Sequence, residues 1–583
     1  MKESNMFKNT PSALSGRHPL AAFKKRKQVS SRSIQFLENT EEKIMKKSAI
    51  ITLALSASLL SACSNTSASS SKTKQVLNWF SAGEISTMDP ALNNDVYGGE
   101  QLDATMEGLV RLGNNSKILP GIAKSWKESK DGMTWTFNLR KNAKWSNGEA
   151  LTAKDFVYAW RRQVNPKTAS TQSNKYSGIK NADAIVASKK PVPSLGIKAV
   201  GKYKLVVTLE RKIPYFQLLL AGSAFAPQNQ KFIEKAGKKY GTAAKYTLSD
   251  GPFVMKGWTG SNLTWKLVKN KYYWDKKNVK LTKINFSVQK SQSTSYNLYQ
   301  VGKLDMTTLS ASQSKSLKNQ KGWQIKKSNR TQYLMYNFKT DKNLRNVNLR
   351  RAIAAAINKE SLAKTLNLAD IAATSLTPSG ITDPVTGKEF SKEVVTKRTK
   401  AIQSGTKAQA KAYYKKALKE LGKKQIIIKL LGDDTDDAKK ATEFIQSALE
   451  STLGMKVEVT NMPFKNRFAR EEAGDFDVIL DGWSGDYADP NTFLEMFQKT
   501  NVNNYGSWEN AAYNKAMETS KTTTSSKKRW AELVKAERIL LTQQGVTPLY
   551  YGNTATLINP KVKNITLKGA GLAYNFKGAY ISK

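Results

Sequence analysis

Cys63 is the only cysteine in a chain of 583 residues, so no disulfide can staple this fold and its stability has to come from buried apolar surface. The same residue closes a run that begins Met45-Lys46-Lys47, continues through an apolar stretch at 49–60 and ends Ser61-Ala62-Cys63. A short basic start, an apolar stretch too short to cross a bilayer as a mature helix, and small residues before a cysteine form the secretory signal of a bacterial lipoprotein. Cleavage before Cys63 and attachment of a diacylglycerol to its thiol would account for a secreted chain with one cysteine and no disulfide partner. The expected location is the outer face of a Gram-positive cell membrane, with 45–62 as signal peptide, a lipid on Cys63, and the polar residues 63–74 as a flexible tether. Residues 1–44 carry the basic cluster Lys24-Lys25-Arg26-Lys27 and no apolar periodicity, and are expected to be a non-native leader upstream of a true start at Met45.

Beyond the anchor the chain is several times the usual domain length, so two or three domains are expected. Lys and Arg total 94 against 46 Asp and Glu, a formal net charge of +48. The cations are scattered and match no nucleic-acid motif. They describe a solvated surface that meets anionic lipid head groups and wall polymers, and no nucleic acid is expected as partner. The single histidine, His18, falls in the leader. Ser-His-Asp and Cys-His catalysis and zinc sites of His and Cys are thereby excluded, and neither a metal nor a cofactor is expected. Paired carboxylates, for example Asp477 with Asp486 or Asp489, remain as a way to build a secreted hydrolase, but no spacing singles them out.

Alternation of apolar residues predicts strands at Val76-Leu77-Asn78-Trp79-Phe80, Trp135-Thr136-Phe137-Asn138-Leu139 and 204–209, and again at 263–267, 426–430 and 457–459. Helical periodicity runs through 348–366, 407–421, 436–453 and 527–544, whereas 379–410, with Pro378 and Pro384, reads as loop and short helix. Helices and strands mixed over several hundred residues indicate an α/β chain.

Three stretches carry a resemblance. The first runs Trp126-Lys127-Glu128-Ser129-Lys130-Asp131-Gly132-Met133-Thr134-Trp135-Thr136-Phe137 and continues through Trp145-Ser146-Asn147-Gly148 to Asp155-Phe156-Val157-Tyr158-Ala159-Trp160. The second holds Gly251-Pro252-Phe253, Asn270-Lys271-Tyr272-Tyr273-Trp274, Tyr333-Leu334-Met335-Tyr336-Asn337 and Asn346-Val347-Asn348-Leu349-Arg350. The third is Gly474-Asp475-Phe476-Asp477-Val478 followed by Gly482-Trp483-Ser484-Gly485-Asp486-Tyr487-Ala488-Asp489-Pro490. Together they resemble the extracellular solute-binding proteins of family 5, which deliver oligopeptides to ABC importers, and the resemblance spans about 77–559.

The resemblance implies an α/β fold in the form of a two-lobed, periplasmic-binding-protein-like clamp of the class with an extra inserted domain, three domains around a hinge. Domain I would comprise 75–112, 226–336 and 550–583, domain II 113–225, and domain III 337–549, with the chain crossing the hinge near Tyr336-Asn337 and returning near Leu549-Tyr550-Tyr551. It further implies a monomeric receptor with no catalysis of its own, an oligopeptide ligand, and the permease subunits of an ABC transporter as partners. A non-peptide or signalling ligand on the same fold is the alternative.

By the same resemblance Asp486 would pair with the peptide's N-terminal ammonium. Gly482, Trp483 and Ser484 would supply main-chain partners, with Asn94, Asp95 and Val96 facing them from the other lobe. Trp483 and Phe464 would line side-chain pockets, and Asp89-Pro90 reads as a turn. One departure stands out. In enteric members two arginines before the Gly-Trp motif receive the peptide's carboxylate, and the matching positions here are Leu480 and Glu471. Arg467 and Arg470 lie near enough to substitute, although on a helix facing solvent they would be ordinary surface charges.

Overall fold

The computed structural model describes residues 73–583 except Ser328, Leu368 and 568–573. Cys63, the signal run and the leader lie outside the described residues. Among the described residues no helix is long and apolar enough to cross a membrane.

Among the described residues, four sheets of three or more strands organise the chain. Val76–Ser81 pairs in parallel with Lys283–Val288, which continues antiparallel to Thr264–Lys269 and Phe253–Lys256. Ala123–Glu128, Thr134–Leu139, Lys204–Thr208 and Ile197–Ala199 form a second, antiparallel sheet. These two share one core, in which Leu77, Trp79, Phe137, Trp145, Phe156, Trp160 and Leu267 are buried. Thr554–Ile558 sits between Met306–Thr308 and Trp323–Lys326 in a three-stranded sheet.

The fourth sheet orders six strands as Ile371–Ala372, Val546–Tyr551, Arg330–Tyr336, Val478–Ser484, Ile427–Asp433 and Lys456–Met462. Successive strand side chains point to opposite faces, and this sheet uses both. Leu334, Tyr336, Leu430, Val478 and Leu480 face one core, under the helices Val347–Ala356, Lys407–Leu421 and Asp436–Leu453. Tyr333, Met335, Leu431 and Ile479 face the other, under Ala511–Thr522 and Ser526–Thr542. Near-continuous apolar runs such as Tyr333-Leu334-Met335-Tyr336 are what two-sided burial demands.

One expectation needs correction. Periodicity predicts one helix over 348–366, but the structure has Val347–Ala356 and then Lys359–Leu366, because Asn358 caps the second helix by accepting a hydrogen bond from the Ser361 N–H at 2.8 Å. Near the expected crossings, Trp323–Lys326 and Thr554–Ile558 belong to the three-stranded sheet, whereas Arg330–Tyr336 and Val546–Tyr551 belong to the six-stranded one.

Candidate functional site

Where the six-stranded sheet meets the first lobe there is a cavity of about 1390 Å³, part of it open to solvent. Its walls come from 93–97, the inserted region around Gln172 and Lys175, and the sheet side through Arg330, Asp433, 481–484, Asp486 and Tyr505. All eight residues singled out as ligand contacts line it: Asn94, Asp95, Val96, Phe464, Gly482, Trp483, Ser484 and Asp486.

The strand Val478–Ser484 explains what this wall can do. On one side it pairs with Arg330–Tyr336 along its whole length, from Val478 opposite Tyr336 to Ser484 opposite Arg330. On the other side Ile427–Asp433 pairs only with Val478 and Ile479. From Leu480 to Ser484 that edge has no strand partner among the described residues, and Asp481, Gly482, Trp483 and Ser484 line the cavity. An open strand edge is a template for one more extended chain. A Cβ at Gly482 would meet the ends of the Gln332 and Arg330 side chains, at 1.7 Å from Gln332 Oε1 and 2.6 Å from an Arg330 guanidinium nitrogen, so a larger residue there would have to displace them. The indole N–H of Trp483 is buried beside the cavity with no hydrogen-bond partner among the described residues.

The remaining expected residues are held by local interactions. Asp95 caps the helix Val96–Thr105 by accepting from the Gly98 N–H at 2.7 Å, and its carboxylate also accepts from Asn93 at 2.7 Å and from Ser86. Its side chain is thus committed within its own loop. The Asn94 amide spans the cleft, donating to Asn503 Oδ1 at 2.7 Å and Tyr505 Oη at 3.1 Å, and its oxygen accepts from Gln172 at 2.8 Å. Phe464 opens the helix Phe464–Ala473, meets Tyr97 edge-on at 4.8 Å and stacks on Phe468 at 5.7 Å.

Asp486 has a partner that the sequence gave no reason to expect. Lys175 Nζ stands 2.8 Å from Asp486 Oδ2, with Lys175 12% and Asp486 33% exposed, as an ion pair rather than a directed hydrogen bond. Lys175 lies in the short turn Ser173–Tyr176 of the inserted region, and Asp486 follows the six-stranded sheet, so the pair spans the cleft. Beside it, Asn174 donates to Glu495 Oε1 at 3.4 Å, and Tyr215 stacks on Tyr487 at 4.5 Å. Burial pushes the Glu495 carboxyl up to about 7, against the pull of the Lys521 and Lys175 cations.

Arg467 corrects the surface-charge expectation. Its side chain is 4% exposed and reaches Asp433 at 2.6 Å, Glu471 at 2.6 Å and Asp481 at 3.4 Å. Burial, and then the Asp481 charge, hold the Glu471 carboxyl well above its ordinary range despite the arginine beside it. Asp433 is also raised by burial, with Arg467 pulling it back. Three carboxyl groups already surround this guanidinium. Arg470 does behave as a surface charge, paired with the exposed Asp475 at 2.8 Å. Glu471 is buried on Arg467, and Leu480 is buried in the core. The cavity cation with no acidic partner among the described residues is Arg330, which makes only long contacts, 3.4 Å to Ser484 and 3.5 Å to Gln332. Of the carboxylates weighed for a hydrolase, only Asp486 lines the cavity. Asp489 is held bidentately by Arg529 at 2.7 and 2.9 Å, and Asp477 accepts from the Lys429 N–H at 3.3 Å.

The family model of the bacterial extracellular solute-binding proteins, family 5, matches residues 117–505. The chain belongs to this family. The dipeptide-binding protein of Lactococcus lactis subsp. cremoris is 35% identical over 560 residues, covering 92% of this chain and 100% of that relative. The structure of Listeria monocytogenes OppA bound to peptide superposes with a TM-score of 0.84 at 38% identity, covering 88% of this chain and all of that one. The Escherichia coli murein tripeptide-binding protein MppA separates two arrangements of the fold. One MppA structure matches with a TM-score of 0.80 over 88% of this chain and 99% of MppA, and its unliganded open form with only 0.57 over 87% and 98%, both at 28% identity. This family 5 chain is therefore not in the open arrangement, in keeping with the contacts that join its lobes across the cleft.

Proposed function

We propose that this family 5 protein is a lipid-anchored extracellular receptor that captures oligopeptides between its lobes and hands them to the permease of an ABC importer. One observation carries the reading. An unpaired strand edge, 481–484, lines the cavity, with a carboxylate two residues beyond its end, at Asp486. An extended peptide of any sequence has two invariant features, a ladder of backbone groups and one terminal ammonium, and this wall has a complement for each. Main-chain pairing at Gly482-Trp483-Ser484 would supply affinity independent of sequence. Phe464 and Trp483 would bound the side-chain pockets, and Asn94, Asp95 and Val96 would close the opposite wall, the last two through their backbone. Arg330 is the group placed to meet a carboxylate on the ligand, taking the role that Leu480 and Glu471 cannot fill. A relative named for dipeptides and a neighbouring structure bound to peptide support the ligand class. Closure around a bound ligand gives a permease a shape to recognise.

Native mass spectrometry of the protein purified without its lipid, incubated with a randomised pentapeptide pool, tests the receptor. Peptide adducts are expected, and their absence across the pool would reject the peptide reading. Cys63→Ala tests the anchor, since the parent is expected in the membrane fraction and the variant released or unprocessed. A membrane-bound parent whose mature N-terminus carries no lipid would refute it.

A further inference from the structure

The pair between Lys175 and Asp486 bears on which ligands the cleft accepts. Three observations set it apart from a surface ion pair. Its members come from opposite walls of the cavity, both line it, and Lys175 is 12% exposed at a separation of 2.8 Å. No other acidic side chain within ion-pair distance of Lys175 is found among the described residues, and the Asp486 carboxylate has Lys175 as its ion-pair partner. The ammonium of Lys175 thus sits where the peptide's own ammonium would go, and it is chemically the same group.

We propose that Lys175 is a specificity-determining residue of the amine pocket, an internal ammonium that competes with the ligand's N-terminus for Asp486. The inference rests on the peptide-receptor reading above. Two ammonium groups cannot share one carboxylate without cost. An incoming amine either displaces Lys175, giving up the cross-cleft pair, or binds beside it against like-charge repulsion. Either way Lys175 lowers the advantage that a free N-terminus has over a blocked one. A ligand with an acylated N-terminus brings no cation, leaves the pair intact, and still has the strand edge to bind. The cleft is therefore built to take N-blocked peptides alongside free ones, and the Lys175 side chain sets the ratio.

The experiment is a competition between a randomised pentapeptide pool and its N-acetylated counterpart for the purified protein, with both classes of bound peptide counted by mass spectrometry. The readout is the ratio of free to acetylated peptide retained, which a general loss of closure or stability does not move. Lys175→Gln is expected to raise this ratio roughly tenfold over the parent, the scale of one charge-assisted contact. Lys175→Arg, which keeps the cation, should return it to near the parent's value. A ratio in Lys175→Gln equal to or below the parent's overturns the proposal, as does a Lys175→Arg variant that behaves like Lys175→Gln. A parent that retains neither pool instead rejects the peptide reading itself. If Lys175→Gln does not fold, Lys175→Met is read by the same criterion, and a parent that excludes acetylated peptides altogether contradicts the proposal without any variant.

Discussion

Arg467 and Lys175 are two cations in one cavity, each against a carboxylate, and their surroundings give them opposite roles. Arg467 is enclosed by Asp433, Glu471 and Asp481, all from elements of one sheet and its flanking helix, and its side chain is 4% exposed. Its partners move together when the lobes move, so the cluster is a fixed part of the wall. Lys175 meets a single carboxylate borne by the other lobe. Any opening of the cleft would separate that pair. A cation–carboxylate contact is structural when both partners ride on one rigid body, and exchangeable when they ride on two.

The largest effect expected from this contrast is on stability. Arg467→Met leaves three carboxyl groups around a buried site with no cation, and should cost about 3–5 kcal/mol in chemical denaturation. Lys175→Gln should cost far less, and equal losses in the two variants would erase the contrast.

The next effect is a pH dependence at the cleft. Burial holds the Glu495 proton up to about pH 7, whereas the same carboxyl in the unfolded chain releases it near 4.5. Between those values the folded state binds the extra proton, so stability contributed at low pH falls as pH rises through this window and is lost above 7. Glu495→Gln should remove a slope worth on the order of 3 kcal/mol between the two ends. The check is the parent-minus-variant difference in melting temperature at pH 4.5 and pH 7.5, and a difference independent of pH would show that Glu495 is not held protonated.

Smaller again is the loss of ligand affinity in Asp486→Asn, about 2 kcal/mol for a free-amine peptide by calorimetry, since this carboxylate is a third exposed. Arg470→Ala, on the outer face of the Arg467 helix, sets the floor, with a change below about 0.5 kcal/mol. A larger effect there would mean that the Arg470 pair with Asp475 is not a solvent-screened surface contact.

The residues that the family resemblance singled out fall in a few short stretches of the chain. Gly482-Trp483-Ser484 and Asp486 fall in one motif, Asn94-Asp95-Val96 at the start of one helix, and all of them line the same cavity. The strands at 76–80 and 135–139 and the helices 407–421 and 436–453 follow directly from their apolar periods. The charged network was not legible. Arg467 and Glu471 share a helix face at i,i+4, a spacing that suits a solvated pair as well as a buried one. Only the fold brings Asp433 and Asp481 to the same guanidinium. Lys175 sits in an ordinary turn of the inserted region, and its partner lies hundreds of residues further on. In the same way, Tyr333-Leu334-Met335-Tyr336 announces a buried strand but not which sheet receives it.

The central claim is that Asp486 reads the ligand's terminal amine inside a closed cleft. Calorimetric titration of the parent and Asp486→Asn with one retained peptide, free and N-acetylated, tests it most directly. The account predicts that acetylation weakens binding to the parent and changes binding to Asp486→Asn much less, a non-additivity that isolates the pairing. Free and acetylated peptide bound equally by both proteins would contradict it.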